Sequence, residues 1–342
     1  MAHYSQFLTN QIVREEDLNV PLSKNILRLF SDADAWKKDT HLSSKHDRIL
    51  LNADHKIIFG HELDKKVTEL VIDQSKKAIA GAIISRTDQT FNTRGLMNSL
   101  IDKLDNKYKV DFRWDTKIIE LLSDKGNKVC AVLTEKGEMI KADQIVLCNG
   151  IDCINLLSPF NLKSIMRLQI GTIQSHCTEL TVDRVHPYAI VFPETHTLLT
   201  TEQRDDGTIL KVQHDQQLLS RTEMIDSGSK AKLISSMLHL YPHLSHTMLP
   251  SSLFQSFQRV LTTDDLPLVG RVPELQNVYL NTAGGVHTTS LAAASGKLIQ
   301  ESIDLSPGIL DPTHFAIGRF AYKNDEVKRQ CATNQLVIKV GE

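Results

Sequence analysis

The chain has 342 residues, of which 41% are apolar, and carries 39 Lys and Arg against 41 Asp and Glu. That length suits two domains, or one large α/β unit with an inserted lobe, and the apolar fraction supplies a core. Near neutrality excludes a global field that would gather nucleic acid or an anionic membrane surface, so any charged partner must be held locally.

The five cysteines, Cys130, Cys148, Cys153, Cys177 and Cys331, are odd in number and form no CxxC pair. They fit reduced thiols rather than a disulfide framework, and a cytoplasmic location is expected. There is no run of eighteen apolar residues, and the opening "MAHYSQFLTNQIVREEDLN" lacks the basic-then-apolar order of a secretory signal.

The first ninety residues are polar and helix-leaning, with apolar spacings of three and four in "LSKNILRLF" and "ELDKKVTELVID", which predict surface helices. From Thr93, "TRGLMNSLIDKLDNK" predicts a capped amphipathic helix. Strand-like runs follow in "KVDFRW", "TKIIELL" and "KVCAVLT", then "MIKADQIVLCNG". The run "QIVLCNG" ends at Gly150 and has the pattern of a strand buried on both faces of a parallel sheet.

From about Leu162 to Gln258, "IMRLQIGTIQSH", "YAIVFP", "HTLLTTEQ" and "TILKVQH" predict an antiparallel lobe with one helix near "KAKLISSMLHLY". The chain then returns through "FQRVLTTDDLPLVGRVPELQNVYLN" to the paired glycines of "NTAGGVHTTSLAAASGKLI" and a closing helix. This order, α/β then mostly β then α/β, predicts a mixed α/β protein whose middle lobe is inserted into a sheet domain. The last residues, "KNDEVKRQCATNQLVIKVGE", read as an appended tail.

A strand that runs into adjacent glycines and then a helix brings unpaired N–H groups, and about half a positive charge, toward whatever lies at that mouth. A tight turn needing positive φ explains the same residues equally well. Three histidines, His239, His243 and His246, have suggestive spacing, but Pro242 interrupts the helix that would align the first two for zinc. No Ser-His-Asp order or nucleophile elbow is present.

Five blocks in order, "TDQTFNTRGLMNSLIDKL", "VDFRWDTKIIEL", "KADQIVLCNGIDCINLL", "RVLTTDDLPLVGRVPELQNVYL" and "NTAGGVHTTSLAAASGKLI", resemble the D-amino-acid oxidase and dehydrogenase family of FAD-dependent oxidoreductases. The resemblance covers roughly residues 85 to 320. It implies an FAD-binding Rossmann-like domain in two parts, 1–161 and 259–320, an antiparallel substrate lobe at 162–258, and a tail at 321–342. It also implies FAD as cofactor and a small D-amino or N-alkyl amino acid as substrate, oxidised by hydride transfer from its α-carbon.

Carried over by position, Arg259 matches the arginine that clamps the substrate carboxylate, a task for which a planar fork of donors is suited. Ile118 matches a small apolar residue whose backbone meets the adenine, and Gly150 the glycine beside the phosphates. Gly284, Gly285, Val286, His287, Thr288 and Thr289 match the loop that faces the flavin's pyrimidine edge. His287 is expected to contribute through the backbone, and Cys148 and Cys153 to act as small apolar residues. Neither Tyr188 nor Tyr241 has an assigned match for the opposite face of the flavin.

Two departures accompany the resemblance. The flavin-facing loop reads Ala283-Gly284-Gly285 where the family has Gly-His-Gly, and Thr288 stands where a later glycine is usual. The β-α-β unit with its G-x-G-x-x-G fingerprint is missing, since no two of the sixteen glycines are separated by a single residue. The expectation is therefore a truncated member with three readings open: an FAD enzyme, a flavin-free remnant or binding protein, and a chain completed by a partner that brings the β-α-β unit.

Overall fold

The structure is a computed structural model; it describes residues 1–20, 22–49, 55–69, 79–124, 127–166, 168, 170–182, 188–204, 207–217 and 255–321. In chain order the first elements are α1 (Ala2–Glu15), β1 (Leu22–Phe30), α2 (Ala33–Ile49), β2 (His55–Ile58), α3 (Gly60–Glu69), β3 (Gly81–Phe91) and α4 (Thr93–Asn106). Then come β4 (Ile118–Ser123), β5 (Val129–Thr134), β6 (Met139–Lys141), β7 (Ile145–Leu147), α5 (Asp152–Leu157) and α6 (Lys163–Met166). The lobe and the return supply β8 (Ile170–Val182), β9 (Ala189–Phe192), β10 (Thr197–Arg204), β11 (Gly207–Gln217), β12 (Gln255–Thr262), β13 (Leu268–Arg271), β14 (Val278–Thr282) and α7 (Thr288–Asp304).

Three sheets organise these elements. The largest has eight strands in the order β12-β8-β11-β10-β9-β1-β3-β2, antiparallel throughout except where β1 runs parallel to β9. A three-stranded sheet, β13-β14-β7, pairs β14 parallel to β7, and a third sheet is the antiparallel meander β4-β5-β6. The antiparallel lobe and the parallel pairing at "QIVL" therefore follow the sequence pattern, whereas three local expectations do not.

The segment "LSKNILRLF" forms strand β1, not a surface helix. Its apolar residues satisfy both periods over so short a run, and the ladders to β3 and β9 decide between them. Leu27 and Leu29 are fully buried on one face, while Arg28 between them reaches Asp39 and Asp88. Nor is "KVDFRW" a strand: it forms no ladder with a described strand, and Val110 and Trp114 are exposed. Strand β7 is buried on one face only, because Val146 points outward between buried Ile145 and Leu147. The helix expected near "KAKLISSMLHLY", the three histidines, Tyr241, Cys331 and the tail lie outside the described residues.

Two larger cores hold the sheets. One joins β7, β13 and β14 to α5 and the meander through Leu121, Leu147, Cys153, Leu268, Leu280 and Ala283. The other lies under the eight-stranded sheet, around Leu27, Ile84, Leu180, Leu199 and Leu210. Asn277, 3% exposed, links the small sheets: its side chain accepts from the Val129 amide at 2.9 Å and donates to the Val129 and Asp143 carbonyls at 2.7 Å each. A third, smaller cluster packs α7 onto β13 and β14 through Val269, Tyr279, Leu298 and Ile299.

Helix α4 begins as its sequence predicts. The Asn92 side chain accepts from the Gly95 amide at 3.1 Å, an N-cap that satisfies one of the orphan donors of the first turn. The same Asn92 donates to Glu202 on β10, which also pairs with Lys211 at 2.9 Å, so the helix start is tied to the eight-stranded sheet. No residue of α4 is buried despite its apolar stripe, and Met97 is half exposed.

Candidate active site

The parallel strands β7 and β14 end side by side, and each runs into a left-handed turn that opens a helix. After β7 the turn is at Gly150, with φ +65°, followed by α5. After β14 it is at Ala283, φ +60°, and Gly285, φ +54°, followed by α7. The Thr282 hydroxyl donates to the Gly150 carbonyl at 3.2 Å and so locks the two turns together. The C-terminal ends of adjacent parallel strands are where open α/β sheets place their ligands, because helix starts converge there.

Both glycines of the second turn are sterically required. A Cβ on Gly284 would lie 2.8 Å from the Thr288 Cα, and one on Gly285 would lie 3.3 Å from the Leu261 Cβ while demanding a left-handed backbone. Ala283 accepts the left-handed conformation with its methyl group buried at 4% exposure. The His287 amide donates to the Gly284 carbonyl at 2.9 Å and the Thr288 amide to the Gly285 carbonyl, closing a single 3-10 turn. The Thr288 hydroxyl also donates to the Gly285 carbonyl at 2.8 Å. Among the described residues no side chain caps α7, so the positive end of a 17-residue helix faces outward beside exposed Val286, His287, Thr288 and Thr289.

Strand β12 brings Arg259 to this mouth. An isolated antiparallel bridge pairs Leu261 with Gly284, and two residues earlier the Arg259 Nη1 donates to the Val286 carbonyl at 3.3 Å. Alternation along the strand puts Phe257 on the same face, and the guanidinium lies over its ring at 5.0 Å from the centroid. Arg259, Gly284, Gly285 and Val286 thus lie together, with Gly150 joined to them through Thr282. Ile118 stands apart: it opens β4 and packs, partly buried, against the core that contains Leu147 and Ala283.

The remaining candidates occupy supporting places. Cys153 is fully buried, and its thiol donates to the Asn149 Oδ1 at 2.9 Å; burial pushes its pKa up to about 11. It packs α5 as an un-ionised thiol, the form that is a poor nucleophile. Burial also raises the thiol of Cys148. Tyr188 packs against the core of the large sheet. Among the described residues, no group of three His, Cys, Asp or Glu is arranged to hold a metal, and no helix is long and apolar enough to cross a membrane.

Sequence reasoning missed three residues of the site: Phe257, Leu261 and Thr282. A period-two reading of β12 from Arg259 backward and forward would have found the first two. The contact of Thr282 with Gly150 joins residues 132 positions apart, and no local pattern signals it.

Two positions without side chains, an uncapped helix start and a guanidinium lie together at this turn. A family model described as FAD dependent oxidoreductase matches residues 1–302. A D-amino acid dehydrogenase of Paramagnetospirillum magneticum is 24% identical over 249 residues, covering 71% of this chain and 55% of the relative. One from Cereibacter sphaeroides is 26% identical over 254 residues, covering 72% and 54%. The chain therefore spans just over half the length of these two relatives. Among solved structures, glycine oxidase from Geobacillus kaustophilus superposes with a TM-score of 0.77 at 15% identity, covering 92% of this chain and 81% of that one. L-proline dehydrogenase from P. horikoshii gives 0.74 at 18%, covering 94% and 82%. With the family match spanning most of its length and the same fold in these flavoenzymes, the chain belongs to the D-amino-acid oxidase and dehydrogenase family of FAD-dependent oxidoreductases.

Proposed function

We propose that this chain forms the flavin-edge and substrate half of an FAD-dependent oxidoreductase acting on small D-amino or N-alkyl amino acids. The observation that supports the reading is the 3.3 Å contact between Arg259 and Val286, which sets a guanidinium suited to a carboxylate against the glycine turn.

FAD, when bound, supplies the acceptor for a hydride from the substrate α-carbon. Gly284 and Gly285 leave room for the ring edge, and the uncapped start of α7 provides positive potential beside it. Arg259 holds the substrate carboxylate through two parallel charge-assisted bonds, exchanging its contact with Val286 for the ligand. Phe257 beneath the guanidinium restricts its swing. Loss of that hydride, together with an N–H proton to solvent, would leave the substrate as an imino acid, which water hydrolyses to an oxo acid and the free amine. Position and field account for what the protein adds, and no strong base is needed from the described residues of the cleft. Ile118 and Gly150 serve the adenosine half.

The pyrophosphate is held by a β-α-β unit paired with β7, whether a partner chain carries it or it is joined to this one. Three features support that placement: β7 is an edge strand among the described residues, Val146 on it is 39% exposed, and α4 buries no residue. The test is the visible spectrum after incubation with excess FAD and desalting, for the chain alone and with a family β-α-β unit added in trans. Bound flavin in the second arm, bleached anaerobically by D-amino acids, is the expected result. Flavin retained in neither arm, or bound flavin that no amino acid bleaches, overturns the proposal.

A further inference from the structure

The face of the eight-stranded sheet that carries Arg259 continues well beyond the flavin turn. Arg259 lies opposite Ile173, Phe257 opposite Ser175 and Gln255 opposite Cys177, so these side chains share that face. Two residues past Cys177, Glu179 lies opposite Lys211. Glu202 on β10 belongs to the same face, because Ile209 pairs with both Glu202 and Thr181. Cys177 is half-buried and stands between Phe257 and the Glu179–Lys211 pair.

The start of α4 meets the far end of this face. Asn92, which caps the helix, donates to Glu202, and Lys211 reaches Glu202 at 2.9 Å and Glu179 at 3.6 Å. Those three charges are engaged with one another. Arg94, two residues after the cap, is exposed and has no hydrogen-bond or ion-pair partner among the described residues. A cation in the first turn opposes the positive end of the helix dipole, and α4 has no acidic residue there to offset it. Helix stability therefore gives no reason for an arginine at this place.

Arg259 and Arg94 converge on Cys177, the first from the flavin turn and the second from the start of α4. Burial, helped by the charge of Glu179, raises the pKa of the Cys177 thiol, and the charges of Lys211, Arg259 and Arg94 oppose the rise. Both guanidinium groups thus stand near enough to act on one half-buried atom. Arg259 meets only a backbone carbonyl and the Phe257 ring among the described residues, so each of the two arginines has its planar fork available for a carboxylate.

Resting on the flavoenzyme reading above, we propose that Arg94 binds a second carboxylate of the substrate. The substrates are then acidic D-amino acids, with the α-carboxylate on Arg259, the side chain passing over Cys177 and its carboxylate on Arg94.

Two experiments separate this inference from the reading beneath it. In the first, the chain without flavin is denatured thermally in the presence of increasing glutarate, or of butyrate at matched ionic strength. A saturable rise in Tm with glutarate and not with butyrate is expected in wild type, cut to about half or less in Arg94→Gln and in Arg259→Ala. In the second, flavin-loaded enzyme is assayed with D-glutamate and D-alanine. The ratio of their kcat/KM values is expected to fall about tenfold or more in Arg94→Gln, through KM rather than kcat, and to return in part in Arg94→Lys. Arg94 is exposed, so these variants fold, and circular dichroism verifies it. Failure to load flavin defeats the function proposed above and leaves the glutarate titration to decide this one. No response to glutarate in wild type, an equal response to butyrate, an undiminished response in Arg94→Gln, or a constant D-glutamate to D-alanine ratio in that variant each overturns the proposal.

Discussion

Arg259 donates to the carbonyl of Val286 at 3.3 Å, so the cation that would meet a substrate carboxylate rests against the turn that would meet the flavin. A weak, partly exposed contact is easily exchanged for a ligand, whereas a buried ion pair would resist the exchange. In flavin-loaded enzyme, Arg259→Ala is therefore expected to lower kcat/KM for carboxylate substrates by an amount equivalent to about 2 to 5 kcal/mol. The visible spectrum should stay unchanged. Arg259→Lys should recover only part of the loss, since a lysine cannot make the bidentate pair. Unaltered steady-state kinetics in the alanine variant would refute the role.

The turn makes its own demand. Gly284→Ala sets a methyl carbon 2.8 Å from the Thr288 Cα, and the start of α7 must shift to admit it. The expected cost is about 1 to 3 kcal/mol of stability, together with weaker flavin binding. At Gly296, in the middle of the same helix, an added methyl group would meet nothing within 4 Å, so Gly296→Ala should stabilise by up to about 1 kcal/mol through helix propensity. Thermal denaturation of both variants tests the contrast, and equal shifts in the two would contradict it.

What was legible in the sequence depended on the range of the interactions. Strands β9 to β11 were legible because their alternation survives in hairpin neighbours, and β8 because its 13 residues carry a long alternating run. Helix α4 was legible because its cap, Asn92, lies just before its first turn. The segment "LSKNILRLF" was not, since β1 owes its form to ladders with β3 and β9, the latter about 160 residues distant. The candidate site divides the same way. Arg259 and the paired glycines stand out locally, whereas their meeting depends on the Leu261–Gly284 bridge and the Thr282–Gly150 bond, which only the folded chain brings about.

A partly buried ion pair beside this region sets an acid limit. Arg319, 6% exposed, donates from Nε and Nη2 to the Asp264 carboxylate at 2.9 and 3.0 Å, and also to the carbonyls of Leu266, Pro267 and Phe315. Burial alone would raise the Asp264 pKa, but the Arg319 bonds and charge, with the Thr262 hydroxyl and the Leu266 amide, hold it below the ordinary carboxylate value. A carboxyl depressed in the folded state contributes its full stability above the unfolded value, near pH 4, and loses it as the pH falls through the folded value. Asp264→Asn should cost about 1 to 3 kcal/mol at pH 7, between the values for exposed and for buried pairs, and flatten the acid limb of the stability curve. Urea denaturation at pH 7 and pH 3 measures both, and a parallel loss at the two values would contradict the assignment.

The thiols give a test of the packing beneath the Gly150 turn. Cys153 is fully buried with its pKa pushed up to about 11, so at pH 8 only about one thiol in a thousand is ionised even before access is considered. Cys130 lies exposed on β5. Iodoacetamide at pH 8 followed by peptide mass spectrometry should label Cys130 within minutes and Cys153 only after denaturant is added. Cys153→Ser replaces a thiol by a more strongly hydrated hydroxyl that has Asn149 as its partner, and should cost about 1 to 2 kcal/mol. Prompt labelling of Cys153 in the native protein would mean that α5 does not seal the core behind the turn, and would remove the rigid support on which the cradle depends.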